Sequence, residues 1–211
     1  MMVKLFTTLL LSVLLFSNNS GNSGYAVGDK AMDFNLKNID GNYISMVSDK
    51  DTKGYIVIFT CNTCPYSVAY EDRIIDLHKR YAPKGYPVIA INPNDPTVKP
   101  GDSFEEMQVR AKEKSFNFPY VFDATQEITL AYGATNTPHV YVVEKVKADY
   151  LVRYIGGIDN NTKDASLATK KYVEDAVNNL LAGSSVETTA TKAIGCTIKW
   201  SAASKEKRAN N

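Results

Sequence analysis

Between Gly54 and Tyr81 the chain reads GYIVIFT, CNTC, then PYSVAYEDRIIDLHKRY, and no other stretch restricts the fold so tightly. The run YIVIFT is apolar and β-branched without alternation, the pattern of a strand buried on both faces of a parallel sheet. Pro65 then fits a first helical turn, where its missing N–H is one of the unpaired donors anyway, and Val68, Ile74, Ile75, Leu77 and Tyr81 recur near helical spacing. A buried strand passing so directly into a helix implies helices packed on a sheet. Cys61 and Cys64 occupy the turn between them.

The rest of the chain keeps the same alternation, which predicts an α/β fold with a central mixed sheet flanked by helices. PVIAIN (87–92) reads as a second parallel strand, and the loop PNDPTVKPG after it is too rich in proline for regular structure. Ser103 and Glu106 fit a capping box opening a helix through about Lys114. A strand FPYVFD (118–123) follows, then a short helix TQEITLAY ended by Gly133. HVYVVEK and YLVRYIG are close enough to pair as an antiparallel hairpin, and a helix is expected from Leu167 to Ala182, stopped by Gly183. A Ser- and Thr-rich segment leads to IGCTIKW, and residues 201–211 read as a disordered charged tail.

The N-terminus carries the parts of a secretory signal in order: Lys4, the apolar run Leu5–Phe16, and the small polar stretch SNNSGNSGYA. The apolar run falls short of the roughly 20 residues a spanning helix needs. Gly24 and Ala26 meet the small-residue requirement, so residues 1–26 are expected to be removed, with a bond a few residues earlier as the competitor, leaving a domain over 27–200. No cysteine is present there for lipid attachment, so the expected product is an exported periplasmic or secreted protein without a stable membrane anchor. With 44% hydrophobic residues, 22% charged residues and a net charge of +1, the composition is globular. Nothing in it suggests a basic face for nucleic acid.

Export changes how the three cysteines are read, because thiols meet an oxidising environment outside the cytosol. Cys61 and Cys64 lie beyond the carboxyl end of a strand, where α/β sheets collect their chemistry, and the following helix is expected to add roughly half a positive charge beside Cys61. Such a site stabilises a thiolate, the species that attacks disulfides. A purely structural bond explains the spacing poorly: closing so small a loop contributes roughly 2 kcal/mol in the chain-entropy model, against about 5 for a loop of over a hundred residues. Metal binding needs more ligands than one C-x-x-C supplies, with His78, His139 and Cys196 as the remaining candidates. An inert thiol pair is the third alternative. Glu71, Asp72 and Arg73 read as a solvated helix face, Arg153 as a strand-surface charge, and His139 either tunes the site or is incidental.

Taken together, FTCNTCPYSVAYEDRI, INPND, DSFEEM, FPYVFDATQEITLAYGATNTP and AIGCTIKW resemble the peroxiredoxin-like, thioredoxin-fold proteins of the alkyl hydroperoxide reductase/thiol-specific antioxidant (redoxin) superfamily, from about Gly28 to Trp200. The resemblance implies a thioredoxin-like core with an N-terminal extension (roughly Gly28 to Ser45) and a C-terminal arm. It implies Cys61 as attacking thiol, Cys64 as resolving thiol, Thr137 and Pro138 as a cis-proline loop that receives substrate, and Cys196 as an auxiliary thiol or a small packed residue. It also implies an exported thiol:disulfide oxidoreductase without a cofactor, whose partners are thiol- or disulfide-containing proteins and a redox donor. The alternatives are a thiol-dependent peroxidase with Cys61 oxidised by peroxide and a metal-binding thioredoxin-fold module. Ile58 stands three residues before Cys61, where peroxiredoxins place a threonine, which weighs against the peroxidase.

Overall fold

The computed structural model describes residues 24–210. Three short strands come first, β1 (Lys30–Ala31), β2 (Leu36–Asn38) and β3 (Tyr43–Ile44), followed by β4 (Gly54–Phe59) and the helix α1 (Pro65–Tyr81). Next are β5 (Val88–Asn92), α2 (Phe104–Lys114), β6 (Tyr120–Phe122), α3 (Glu127–Tyr132) and β7 (Asn136–Thr137). The chain ends with β8 (His139–Val146), β9 (Asp149–Gly156), α4 (Tyr172–Leu181), β10 (Cys196–Thr197) and α5 (Ala202–Ala209). Eight strands form one sheet in the order β1-β9-β8-β4-β5-β6-β2-β3, and β10 and β7 form a separate pair. β4, β5 and β6 run parallel, while β8 and β9 form the expected antiparallel hairpin. The sheet is therefore mixed, with β4 flanked by β5 and β8.

Every residue of β4 is buried, and its side chains divide by parity between two cores. Ile56 and Ile58 join Tyr70, Ile74 and Leu77 of α1, Met107 of α2 and Val173 and Val177 of α4. Tyr55, Val57 and Phe59 join Phe34, Met46, Tyr132 and the C-terminal Ile198 and Trp200. Val88/Ile89 of β5 and Val142/Val143 of β8 repeat the division, so the strands at the centre of the sheet are apolar on both faces. α2 starts where the capping signal places it, with the Ser103 hydroxyl accepting from Glu106 N–H. α3 ends at Gly133, whose φ of 73° is the left-handed value that glycine adopts without strain.

The structure corrects three expectations. Residues 201–211 were expected to be disordered, yet Ala202–Ala209 form α5, capped by the Ser201 hydroxyl. Ser204 is buried there, and the Arg208 guanidinium lies 4.6 Å from the Trp200 ring centre. α4 begins at Tyr172 rather than Leu167, because the Asn160 side chain holds the N–H groups of Thr169 and Lys170 in a loop. On α1, Val68 faces solvent whereas Glu71 is buried, receiving both nitrogens of an Arg110 fork at 2.7 and 2.8 Å, and Arg73 reaches Asp159 at 2.6 Å. Of the three charges expected on a solvated face, Asp72 is exposed, whereas Glu71 contacts α2 and Arg73 the loop after β9. Tyr25, which the expected boundary near Ala26 places with the leader, packs edge-on against Tyr132 at 5.0 Å and donates its N–H to Tyr132 O. Residues 1–23 of the expected leader lie outside the described residues.

Among the described residues no helix is long and apolar enough to cross a membrane. The Glu71–Arg110 pair generates a stability prediction. Removing a buried carboxylate leaves its partner's charge uncompensated, but Arg110 is partly exposed and regains water, so the full cost of a buried pair does not apply. Glu71→Ala is expected to lower unfolding free energy by about 1–3 kcal/mol, measured by urea denaturation.

Candidate active site

The cysteine turn hangs from the carboxyl end of β4, and α1 begins immediately after it with Cys64 as its N-cap residue and Pro65 in the first turn. Both thiols are buried, Cys61 at 4% and Cys64 at 3% exposure, so the site is enclosed rather than displayed. The partial positive charge of the helix end reaches Cys64 first. That differs from the expectation that it would act beside Cys61, because the helix starts only at Pro65.

Asp102, which sequence reasoning overlooked, fixes the turn. Its carboxylate has no solvent exposure. Oδ1 accepts the backbone N–H groups of Asn62 and Thr63 at 2.9 and 3.0 Å, and Oδ2 accepts the Thr63 hydroxyl and the Asn94 amide at 3.0 and 2.7 Å. A buried charge is tolerated only when its acceptor sites are filled, so these donors and the turn conformation are mutually dependent. Asn92 donates to the Asp102 carbonyl, and Asn62 bridges Gly101 O and the Tyr120 hydroxyl. The available signal was the Asn- and Asp-rich INPND at the carboxyl end of a predicted parallel strand, the edge where such sheets gather polar function.

Opposite the turn lies the Thr137–Pro138 peptide, which is cis. Cys61 Sγ is 3.3 Å from Thr137 Oγ1, and the protonated Cys64 thiol donates to Thr137 O at 3.2 Å. The two cysteines and this loop are therefore brought together. So is Cys196: β10 pairs antiparallel with β7, Cys196 opposite Thr137 and Thr197 opposite Asn136. Ile198 and Trp200 are buried, as a packed C-terminal segment requires, while Cys196 itself stays half-buried beside the site.

The three thiols influence one another's ionisation. Cys64 is held well below the usual thiol range chiefly because the Cys61 thiol donates to it; burial opposes this, and the Cys196 thiol and Ser67 N–H reinforce it. Cys61 is pushed far up, first as donor to Cys64, then by burial and by the Asp102 charge. Burial pushes Cys196 up to about 11, with the Cys64 charge adding to the effect. Among the described residues no group of three His, Cys, Asp or Glu side chains is arranged to hold a metal ion. His139 is buried and its Nδ1 accepts Thr135 N–H at 3.3 Å, so it shapes the loop around Pro138 as a neutral ring.

Two predictions follow from these groups. Asp102→Asn retains one acceptor oxygen but places an amide where the carboxylate takes two further donors. It is expected to cost about 1–3 kcal/mol in urea unfolding. Loss of the nearby charge lowers the Cys61 pKa, read as faster alkylation of Cys61 at fixed pH by peptide mapping. Burial depresses His139 to about 4 from 6.5, so between those values the unfolded chain binds a proton that the folded chain refuses. Its stability contribution is therefore complete above pH 6.5 and is lost as pH falls to about 4, by up to about 3 kcal/mol. Comparing urea midpoints of the wild type and His139→Gln across this window isolates that slope.

Three comparisons place this geometry among known proteins. The chain is 25% identical over 123 residues to thiol-disulfide oxidoreductase ResA of Geobacillus thermodenitrificans, covering 57% of this chain and 64% of that protein, less than two thirds of its length. A hypothetical protein from Sinorhizobium meliloti is 32% identical with a TM-score of 0.78, covering 85% of this chain and 97% of that one. Peroxidoxin BcpB of Mycobacterium tuberculosis matches with a TM-score of 0.55 at 16% identity over 74% of this chain and 96% of its own, a likeness of fold. The AhpC/TSA family profile matches residues 27–155, and the thioredoxin-fold sheet agrees with it. The chain belongs to the AhpC/TSA family.

Proposed function

We propose that this protein is an exported thiol:disulfide oxidoreductase that cycles Cys61 and Cys64 between dithiol and disulfide. The observation that carries this reading is that Cys61 and Cys64, at a strand end and a helix start, both contact Thr137 of the cis-Pro138 loop. A thiolate of the pair attacks a partner disulfide, forming a mixed disulfide and expelling a partner thiolate. The second cysteine then attacks the mixed disulfide, releasing the reduced partner and leaving Cys61 and Cys64 bonded. A thiol donor restores the dithiol.

The resemblance assigns the first attack to Cys61, while the helix start at Cys64 and the Asp102 charge acting on Cys61 favour negative charge on Cys64. Thr137 supports either assignment, since it contacts one sulfur through its hydroxyl and the other through its carbonyl. The Asp102 cradle holds the intervening turn in one conformation through the cycle. Peroxidase chemistry fits less well, because Ile58 is fully buried in the sheet core and offers no hydroxyl to a bound peroxide.

The test is a glutathione redox titration with mass-spectrometric mapping of the bonded cysteines and a parallel peroxide-consumption assay. A reversible Cys61–Cys64 couple with negligible peroxide turnover is expected, and Cys64→Ser should abolish turnover of a disulfide substrate. Failure to form that bond at any poise would falsify the proposal. Export is tested separately by sequencing the mature N-terminus. Because Tyr25 packs on Tyr132, cleavage is expected at or before Gly24, and recovery of Val27 as the first residue would overturn that boundary.

A further inference from the structure

The edge of the cis-proline loop, the surface that presents backbone groups to an extended partner strand, is already filled by this chain. β10 lies along β7, the Asn136 amide donates to Gly195 O at 3.0 Å, and Ile198 N–H reaches Thr135 O at 3.3 Å. Gly195 is required for this approach, since a β-carbon there would collide with the Thr137 carbonyl. The segment is anchored on both sides. Before it, Thr191 is bonded to Gly157 N–H and the Tyr154 hydroxyl, and Thr191 N–H donates to Ile155 O. After it, Gln126 donates to Lys199 O and accepts Ser201 N–H, while Asn94, the same residue that holds Asp102, accepts Lys199 N–H. The anchors present one residue with reactive chemistry to the site, Cys196, opposite the residue whose carbonyl takes the Cys64 thiol.

We propose that Cys196 is a third redox thiol of this site, exchanging with the Cys61–Cys64 disulfide to form a Cys64–Cys196 disulfide. The inference rests on the oxidoreductase reading, which supplies the Cys61–Cys64 bond. In the exchange the Cys196 thiolate attacks Cys64 Sγ, the Cys61–Cys64 bond breaks as the Cys64–Cys196 bond forms, and the electron pair leaves on Cys61. The proton that Cys196 gives up is matched by the one that Cys61 takes on. One disulfide replaces another, so no oxidant is consumed. Cys196 pairs opposite Thr137, whose carbonyl accepts the Cys64 thiol at 3.2 Å, so both thiols meet the same peptide before reaction. The arm thereby acts as a tethered internal substrate, and exchange with it frees Cys61.

Equal oxidation level gives the test its sharpest readout. Full-length protein freed of its leader is equilibrated over a range of reduced and oxidised glutathione, quenched in acid and mapped. Both Cys61–Cys64 and Cys64–Cys196 are expected, in a ratio that stays constant while total oxidation varies with the poise. Cys196→Ser should retain only the first bond. Cys61→Ser should form the second, with little glutathione on Cys64. Quantitative alkylation of Cys196 in the wild type at every poise overturns the inference, as does a glutathione adduct on Cys64 with free Cys196 in Cys61→Ser. The wild-type measurement stands even if a variant fails to fold. Absence of the Cys61–Cys64 bond in the wild type defeats the oxidoreductase reading itself and this inference with it, a result distinct from free Cys196 beside an intact Cys61–Cys64 couple.

Discussion

One fully enclosed carboxylate holds the cysteine turn in place. Asp102 has no exposure, and its acceptor sites are filled by Asn62, Thr63 and Asn94. Desolvating a carboxylate is costly unless strong donors replace water, so a displaced turn exposes an unpaired charge to the protein interior. That penalty ties the backbone between Cys61 and Cys64 to the loop after β5. It also leaves a negative charge near Cys61, which discourages a thiolate there. The residue that rigidifies the turn therefore biases where the first charge forms.

The same loop connects to the C-terminal arm. Asn94 holds Asp102 through its amide nitrogen and Lys199 through its amide oxygen, so a single side chain joins the cysteine turn to the segment carrying Cys196. Gln126 completes the attachment from α3, from an unusual positive φ of 60° that its hydrogen bonds to Pro93 O, Lys199 O and Ser201 N–H offset. Ile198 and Trp200 then enter the core beneath β4. Packing at the far end of the chain thus places β10 on the cis-proline loop.

β4 and α1 were legible because their patterns are local: an unbroken apolar run and a proline-led helical period need no distant partner to be recognised. The β8–β9 hairpin, the cap of α2 and the glycine stop of α3 were legible for the same reason. The buried Glu71 was not, since its partner Arg110 lies on another helix and a charged residue on a polar-looking face reads as solvated. α5 escaped notice because its polar sequence has little intrinsic reason to order. Its Ser201 cap is local, but the burial of Ser204 and the Arg208–Trp200 contact arise only against the folded domain.

By itself the sequence determined a buried strand delivering two cysteines to a helix start, and a third cysteine near the other terminus. Only the tertiary structure decided that Asp102 clamps Asn62 and Thr63 between the first two and that β10 lays the third against Thr137. The physical reason is sequence separation. Hydrophobic periodicity and capping are written into neighbouring residues, whereas a hydrogen bond across 40 residues or a strand pairing between Thr137 and Cys196 exists only after two separate cores have closed around the sheet.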